Sequence, residues 1–551
     1  MDYLSGLLAA GPSPRYGSGE RAGFPESDWT SLKTRSRRTP PLGLALDPSG
    51  TLPLHRQIGE QIRRAILEGR LKPGTRLPSS RLLAQDLDCA RGTVVLALDQ
   101  LVAEGYVVGR PGAAMSVAAD LPDEMLNAPR SAAPSQTRQA VRPAVARRAR
   151  ALLSASPPPA SETLPLAFPT SQPDREAFPF ALWAKLLERE WRRPSPEAAA
   201  AAHPFGHAGL REAVAAYLGT ARGFGCSTRE IVITTGIRHG LALFAEVVLD
   251  AGDAAWIEEP GFVGVRDALA AADVRAVPVR IDEGGFPPEV AQAQAPPHGP
   301  RARLAVIAPA HHFPLGTVMG LQRRLELLSW AEREKGWIAE DDFDGEYRYS
   351  GRPLAPLRAL DRSGRVAYFS SFSKLMFPAL RLSFLVLPSS LVEVTERLMD
   401  RISVRAPLMA QGALARFIAE GHLAAHLRRT RQLYATRRAA LLAAADRHLG
   451  GLLTIEPDPG GMHLIAMPVG KLAKTFDDIA VTRAAAAAGL VVQPLSVCYA
   501  SRPKRHGLIL GYAGTPEPEI ERGIRVLRRA LNRQAVNRPE RLTSSRPLST
   551  S

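Results

Sequence analysis

The stretch LPSSRLLAQDLDCARGTVVLALDQLVAEGYV, residues 77–107, decides the fold of the N-terminal part. Ser79 or Ser80 is suited to cap a short helix, because a serine hydroxyl accepts a hydrogen bond from a free amide of the first turn. A tight turn follows, and a longer helix is predicted from about Arg91 to Glu104. The residues predicted to face inward from these helices are Leu82, Leu83, Leu87, Val94, Leu98 and Leu101. The stretch therefore predicts two helices joined by a turn.

The flanking segments add a helix before this stretch and a hairpin after it. Leu54 and three isoleucines, the last of them Ile66, recur every four residues and predict a helix with one apolar stripe. Residues 106–108 and 115–117 predict two short strands around a wing. Residues 45–118 are therefore predicted to form a winged helix-turn-helix, mainly α with a small β wing.

This architecture reads DNA, because its last helix is long enough to enter the major groove with its first residues toward the base edges. Arg91 and Thr93 stand at that end, and Arg81 begins the preceding helix, where an arginine and free amides can hold a phosphate. The alternative is a three-helix bundle whose arginines are only solvated. The formal charge of +16 favours a polyanionic partner, but a GC-rich genome also gives many arginines.

Amino-acid composition divides the rest of the chain into three irregular segments and one folded domain. Residues 1–44 predict a disordered leader, 119–162 a basic Pro/Ala-rich linker with room for a short helix, and 534–551 a flexible tail. In residues 163–533 short apolar strands alternate with amphipathic helices, which predicts an α/β domain with a mainly parallel sheet. We expect a cytoplasmic protein, because no apolar run is long enough for a membrane span and the N-terminus does not resemble a secretion signal. The three cysteines lie far apart and suit neither a metal site nor a disulfide framework.

Two segments of the α/β region carry a lysine and a carboxylate suited to one ligand. VAYFSSFSKLMFPALRLSF (366–384) places Lys374 among apolar residues, which favours a depressed pKa and imine formation. WIAEDDFDGEYRY (337–349) places Asp341 at the end of a short strand, where ligands bind in open parallel sheets. Taken singly, a lysine is usually solvated and adjacent acids usually belong to a loop or a helix cap.

Two further segments supply a phosphate site and a flat ring. IVITTGIRHGLALFAEVVL (231–249) predicts strand, turn and helix, so the helix N-terminus offers amides to a phosphate. IEEPGFVGVRDAL (257–269) places Phe262 after a strand and a turn, where it can stack on a ring. Pyridoxal 5'-phosphate requires a lysine, a carboxylate for the pyridine nitrogen, phosphate donors and a flat cover, and these four segments provide all of them.

Residues 46–118 resemble the GntR family of transcription regulators, from PLHRQIGEQIRRAILEGRLKPGTRLPSSRLLAQDL to the wing. The resemblance departs at Ala90, where a hydroxyl residue is common and whose loss as a cap costs about 0.5–2 kcal/mol. The wing, Pro-Gly-Ala-Ala at 111–114, also differs from the Gly-Ser-Gly pattern of the family. The DNA contacts predicted for the domain are Ser80, Arg81, Arg91, Thr93 and Arg110.

Residues 164–531 resemble the fold-type I aminotransferases, and the whole chain resembles the MocR subfamily of GntR proteins. The blocks HHFPLGTVMGLQRRLELLSWA and GLILGYA contribute to the match. The implied fold is a multidomain chain, a winged helix-turn-helix followed by an α/β PLP-dependent transferase domain of fold type I. The resemblance makes Lys374 the Schiff-base lysine, pairs Asp341 with the pyridinium nitrogen, stacks Phe262 on the ring and places His312 or Phe313 beside the phenolic oxygen. The implied phosphate ligands are Gly236, Ile237, Arg238, Ser371, Ser373 and Arg381.

Several positions depart from the aminotransferase pattern. Ile237 replaces a hydroxyl residue and Arg238 a glutamine, although an arginine can serve as a charged phosphate ligand. Phe343 stands where tyrosine is frequent. Leu508 or Gly507 occupies the slot of the arginine that binds a substrate carboxylate in catalytic members. The nearby residues that can substitute for that arginine are Arg502, Arg505 and His506.

These observations favour a transcription regulator that binds operator DNA and senses PLP, a small amino-compound effector, or both. The resemblance also implies a head-to-tail homodimer, and such a protein would be cytoplasmic and associated with the nucleoid. One alternative is an active aminotransferase with an accessory DNA-binding domain. Another is a regulator whose PLP pocket is vestigial and serves only dimerisation.

Overall fold

The computed structural model describes residues 42–109, 115–121, 145–155, 166–170, 172–194, 203–294, 301–350 and 354–536. The chain divides into two compact units, Met1–Arg142 and Pro143–Ser551. The predicted leader (apart from residues 42–44), most of the predicted linker and nearly all of the predicted tail lie outside the described residues. The boundaries given to these three segments stay predictions.

The secondary structure elements are numbered in chain order. The helices are α1 (Leu54–Leu67), α2 (Ser80–Asp86), α3 (Arg91–Ala103), α4 (Arg147–Ala155), α5 (Phe180–Arg192), α6 (Ala208–Tyr217), α7 (Ile237–Val248), α8 (Val263–Ala271), α9 (Pro288–Ala293), α10 (Leu321–Arg333), α11 (Phe372–Leu375), α12 (Val392–Ile402), α13 (Gln411–Ala419), α14 (His422–Leu449), α15 (Asp478–Ala487) and α16 (Glu517–Val536). The strands are β1 (Val107–Val108), β2 (Ser116–Val117), β3 (Leu166–Ala167), β4 (Ile231–Thr234), β5 (Ala254–Glu259), β6 (Arg275–Arg280), β7 (Ala302–Ile307), β8 (Trp337–Asp341), β9 (Val366–Ser371), β10 (Ser383–Val386), β11 (Leu453–Ile455), β12 (His463–Pro468), β13 (Leu490–Val491), β14 (Gln493–Pro494) and β15 (Leu508–Gly511).

The N-terminal unit has the predicted helices and hairpin. Helices α1 and α2 both pack against α3, and β1 pairs antiparallel with β2. The predicted core positions Val94, Leu98 and Leu101 are buried. Burying this stripe removes apolar surface from water, which is the main favourable term in the stability of so small a unit.

One inward-facing residue was predicted wrongly. Leu82 is 45% exposed, whereas Leu83 is buried and Leu87 is partly buried. Leu83 and Leu87 are four residues apart and therefore share a helix face, while Leu82 lies about 100° further round. The Ser79 hydroxyl accepts a hydrogen bond from the Leu82 amide at 3.3 Å, so Ser79 rather than Ser80 caps this helix.

The C-terminal unit is built on a seven-stranded sheet in the order β4-β10-β9-β8-β7-β5-β6. Strands β5 to β9 pair in parallel, and only β10 pairs antiparallel with its two neighbours within this sheet. The prediction of a mainly parallel sheet is confirmed. Strands β4, β9 and β10 are buried along their whole length, as expected of a sheet covered on both faces.

A second, antiparallel sheet in the order β11-β12-β15-β14 lies in the C-terminal part, where α14 packs against α16. Strand β3 pairs in parallel with β13. Helix α4, within the segment predicted as a linker, packs against α8. None of the described helices is both long enough and apolar enough to cross a membrane.

Candidate functional site

Lys374 lies in α11, a four-residue helix that directly follows strand β9. Its Nζ atom is 4.2 Å from the centre of the Phe343 ring and 5.4 Å from that of Phe262. Burial lowers the pKa of Lys374, with Asp341 acting in the opposite direction. Loss of the proton is therefore easier for this amine than for an exposed lysine, and the neutral amine is the form that attacks a carbonyl.

Asp341 is the last residue of β8, at the carboxyl end of the parallel sheet. Its Oδ1 atom is buried and has no hydrogen-bond partner among the described residues. Burial raises the pKa of Asp341 to about 6, against the effect of Lys374. A buried carboxylate oxygen without a donor is costly, so this position fits a ligand that brings a cationic N–H. The protonated pyridine nitrogen of PLP meets that requirement.

Phe262 and Asp341 line the same cleft. Phe262 comes directly after the turn that follows β5 and precedes α8. Phe313 and Phe343 line the cleft as well, with ring centres 6.1 Å apart. The cleft therefore offers aromatic surface next to Asp341. The role of Phe262 as a cover for a cofactor ring stays a prediction.

The predicted phosphate site forms where α7 begins. Gly236 precedes the helix with φ +152° and ψ 165°, a conformation largely restricted to glycine. A Cβ atom at Gly236 would lie 3.5 Å from Nη2 of Arg381, so the guanidinium group and the free amides of α7 face the same space. Arg381 itself takes a left-handed conformation, with φ +49°. A helix N-terminus and an arginine together suit a dianionic phosphate.

The other predicted phosphate ligands are engaged elsewhere in this structure. The hydroxyl of Ser371 accepts a hydrogen bond from Ser383 at 2.9 Å, and that of Ser373 lies 3.4 Å from the Leu382 carbonyl. Arg238 is 60% exposed and pairs with Asp267 at 3.3 Å. Ile237 packs at the edge of an apolar cluster. Their roles as phosphate ligands stay predictions.

His312 is buried, and burial lowers its pKa to about 3. Its Nε2 atom has no hydrogen-bond partner among the described residues, and lies 3.7 Å from Oε2 of Glu258. The ring is therefore neutral at physiological pH. Its predicted place beside the phenolic oxygen stays a prediction.

Glu258 is a site residue that was not predicted from the sequence. This residue lines the cleft, and burial raises its pKa to about 8, opposed by the Ala308 amide and assisted by Asp341. Of the two acids, Glu258 therefore keeps its proton to higher pH than Asp341. Its position near the end of β5, shortly before Phe262, is the sequence signal that could have indicated its place.

A second group that the sequence analysis missed joins the two sheets. Nδ1 of His311 lies 3.1 Å from Asp344, and Nε2 lies 3.0 Å from Asp458, in the loop between β11 and β12. Burial disfavours charge on His311, but the two carboxylates outweigh it and raise its pKa to about 10. Gly316 and Gly461 leave room for the group, because a Cβ atom would lie 1.6 Å from Asp458 at the former and 2.3 Å from His311 at the latter.

No arginine stands in the slot expected to bind a substrate carboxylate. Leu508 is buried in β15, and His506 pairs with Asp478 at 3.1 Å. Among the described residues that line the cleft of Asp341 and Phe262, Arg266 is the one arginine, and it donates 2.9 Å hydrogen bonds to the Tyr499 and Val497 carbonyls. Arg505 lines a separate cleft.

The predicted DNA contacts converge at the start of α2 and α3. Arg81 and Arg91 line one groove, and Nε of Arg91 donates to the Ser80 hydroxyl at 3.3 Å. Thr93 follows in the first turn of α3, and Ala90 caps that helix with no side-chain hydrogen bond. Arg110 lies outside the described residues.

Comparison with known families matches two segments of the chain. Residues 54–117 match the family described as bacterial regulatory proteins, gntR family, and residues 176–527 match aminotransferase class I and II. The chain is 37% identical to the probable rhizopine catabolism regulatory protein MocR of Rhizobium meliloti, over 88% of this chain and 95% of that protein. It is 31% identical to the HTH-type pyridoxine biosynthesis transcriptional regulator PdxR of Corynebacterium glutamicum, over 87% and 96%.

Solved aminotransferases share the fold of the C-terminal unit. Kynurenine aminotransferase of Pyrococcus horikoshii superposes with a TM-score of 0.61 at 24% identity, over 73% of this chain and 97% of that one. LysN, the α-aminoadipate aminotransferase of Thermus thermophilus complexed with N-(5'-phosphopyridoxyl)-L-leucine, superposes with a TM-score of 0.60 at 25% identity, over 71% and 96%.

Proposed function

This chain belongs to the GntR family of bacterial regulatory proteins and carries a fold-type I aminotransferase domain in the manner of MocR, and from this premise we propose how it works. It is an HTH-type transcription regulator. We propose that its C-terminal unit binds PLP and that the occupancy of this site alters how the N-terminal unit holds operator DNA. Such a protein acts in the cytoplasm, at the nucleoid.

One observation carries the cofactor proposal: the Lys374 amine lies 4.2 and 5.4 Å from the centres of two aromatic rings that line the same cleft as Asp341, which presents a buried oxygen without a donor. When bound, PLP supplies a reactive aldehyde and an electron-withdrawing ring. Lys374 would bind the aldehyde, Asp341 would hold the proton on the pyridine nitrogen, and Phe262 would cover the ring. Arg381 and the start of α7 would bind the phosphate. LysN, with the same fold, was solved with a pyridoxyl derivative, which supports this assignment.

The packing of α8 supports a route from the site to the linker. This helix begins directly after Phe262 and packs against α7, whose N-terminus faces Arg381. It also packs against α4 in the segment predicted to lead toward the DNA-binding unit. A ligand that shifts α8 therefore shifts α4, and it can change DNA binding only by its different affinities for the two arrangements. We propose that PLP, alone or with an amino compound, is that ligand. We also propose that the regulator is a head-to-tail homodimer.

The experiment combines absorption with DNA binding. The purified protein is expected to acquire a visible absorption band on addition of PLP, and borohydride should fix the cofactor to Lys374. Lys374→Ala should lose both signals, and the operator affinity of this variant should no longer respond to PLP. A wild-type protein that stays colourless with PLP would instead support a vestigial pocket.

The same preparation tests the enzymatic alternative. Both Nη atoms of Arg266 are used by main-chain carbonyls, so the cleft offers no free arginine for a substrate carboxylate among its described lining residues. We therefore expect no steady transamination with common amino donors and 2-oxo acids. Multiple turnovers that depend on Lys374 would establish an aminotransferase.

Arg91→Ala tests the DNA contacts. If this arginine binds a base edge, its loss should weaken operator binding by about 1–3 kcal/mol and relax specificity at one base pair. Arg64→Ala, at an exposed position on α1, removes the same charge and should have a smaller effect that is independent of sequence. Equal effects of the two variants would exclude Arg91 from base recognition.

A further inference from the structure

Leu96 is a large apolar side chain on the outer face of α3, where it is 60% exposed. The same helix buries Val94, Ala97, Leu98 and Leu101 against the rest of the N-terminal unit. Leu96 therefore lies outside the core, and its removal is expected to change stability little. Its position in the second turn of α3 is what bears on function, because α3 is the helix that a helix-turn-helix presents to DNA.

The neighbouring positions open this face to a close approach. Gly92 is one helical turn before Leu96 and therefore shares its face. A Cβ atom at Gly92 would have no atom within 4 Å, so nothing in the described structure covers the helix backbone there. Arg91, the first residue of the helix, is exposed beside it. The first two turns thus present one cation, one bare stretch of backbone and one apolar side chain.

We propose that Leu96 reads the 5-methyl group of a thymine in the major groove of the operator. The thymine methyl is the apolar group that the base pairs display in that groove, and contact with an apolar side chain is how proteins recognise it. Arg81 and Arg91 line the groove at the start of α2 and α3, so the end of α3 that a helix-turn-helix places in the major groove carries cations suited to a polyanion. This inference rests on the proposed DNA binding and is independent of PLP.

The test begins with the full-length protein and a pool of random DNA duplexes, from which the bound sequence is selected. Each thymine of that sequence is then replaced by deoxyuridine, which removes the methyl group and leaves the hydrogen-bonding edge unchanged. We expect one replacement to weaken wild-type binding by about three- to tenfold, the value of one or two buried methyl contacts. Leu96→Ala should bind the thymine and deoxyuridine duplexes equally at that position.

Leu82→Ala is the matched control, because Leu82 is also exposed in the same unit but lies on α2. This variant should keep the wild-type difference between the two duplexes, whatever its absolute affinity. The inference is wrong if no deoxyuridine weakens wild-type binding or if Leu96→Ala keeps the difference. The inference is also overturned if the one effect of Leu96→Ala is to dissociate a dimer, measured by sedimentation. That result would place the leucine in a subunit contact. If the wild type selects no sequence at all, the proposed operator binding fails together with it.

Discussion

Two adjacent aspartates of the C-terminal unit have different surroundings. Both have a buried Oδ1 atom without a hydrogen-bond partner among the described residues, but Asp341 lines the cleft, whereas Oδ2 of Asp342 pairs with the buried Arg222 and accepts a 2.6 Å hydrogen bond from Tyr368. The sequence showed two adjacent acids, and Asp341 was predicted to pair with the pyridine nitrogen of PLP. The surroundings of the second come from Arg222, 120 residues away, which no local pattern encodes.

The two aspartates should therefore respond differently to the same substitution. Asp341→Asn should lower the affinity for PLP at least tenfold, because the pyridinium loses its counter-charge, while the melting temperature of the cofactor-free protein does not fall. Asp342→Asn should destabilise the protein by about 3–5 kcal/mol, because it leaves Arg222 buried without a full counter-charge. Absorption titration and thermal unfolding measure the two effects, and the reverse pattern would refute the assignment of Asp341.

At the scale of elements, the periodic segments were predictable and the long-range contacts were not. Helices α1 and α3 follow from their apolar spacing, and the strands before Asp341 and Phe262 follow from short apolar runs. These side chains meet because the carboxyl ends of parallel strands share one edge of a sheet. Glu258 and Asp458 were missed because a glutamate or aspartate in the sequence indicates solvent, and its burial is decided only by tertiary packing.

Helix α4 allows a test of the proposed route between the site and the DNA-binding unit. Leu152 is partly buried on α4, whereas its neighbour Leu153 is 77% exposed. Leu152→Glu should detach α4 from α8, so that PLP still binds and DNA still binds but the two affinities no longer depend on each other. Leu153→Glu adds the same charge and should leave the coupling intact. A response to PLP that survives in Leu152→Glu would rule out this route.

At the scale of the whole molecule, the contact of His311 with Asp344 and Asp458 ties the two sheets of the C-terminal unit together beside the candidate site. Its folded pKa, about 10, lies above the ordinary value of 6.5. The stabilisation is therefore complete below about pH 6.5 and is lost as the pH rises toward 10. Removing the histidine leaves two carboxylates without their counter-charge.

We expect His311→Asn to lower the free energy of unfolding by about 3 kcal/mol at pH 6. The difference from the wild type should shrink steadily between pH 7 and pH 10, when urea denaturation is measured across that range. His422, a partly exposed histidine beside Glu420, provides the control, since His422→Asn should change stability little at any pH. A difference for His311→Asn that is constant with pH would mean that the imidazole acts by packing alone.

The unmatched oxygen of Asp341 has a consequence for the abundance of the regulator in the cell. If the site binds PLP as proposed, a chain without the cofactor leaves this buried oxygen unpaired, and binding stabilises the folded chain by mass action. In cells that lack PLP precursors, newly synthesised chains should therefore unfold more often and be degraded faster. The supply of PLP would then determine the number of regulator molecules in the cell as well as their affinity for DNA. An equal half-life of the regulator in cells with and without a supply of PLP precursors would contradict this expectation.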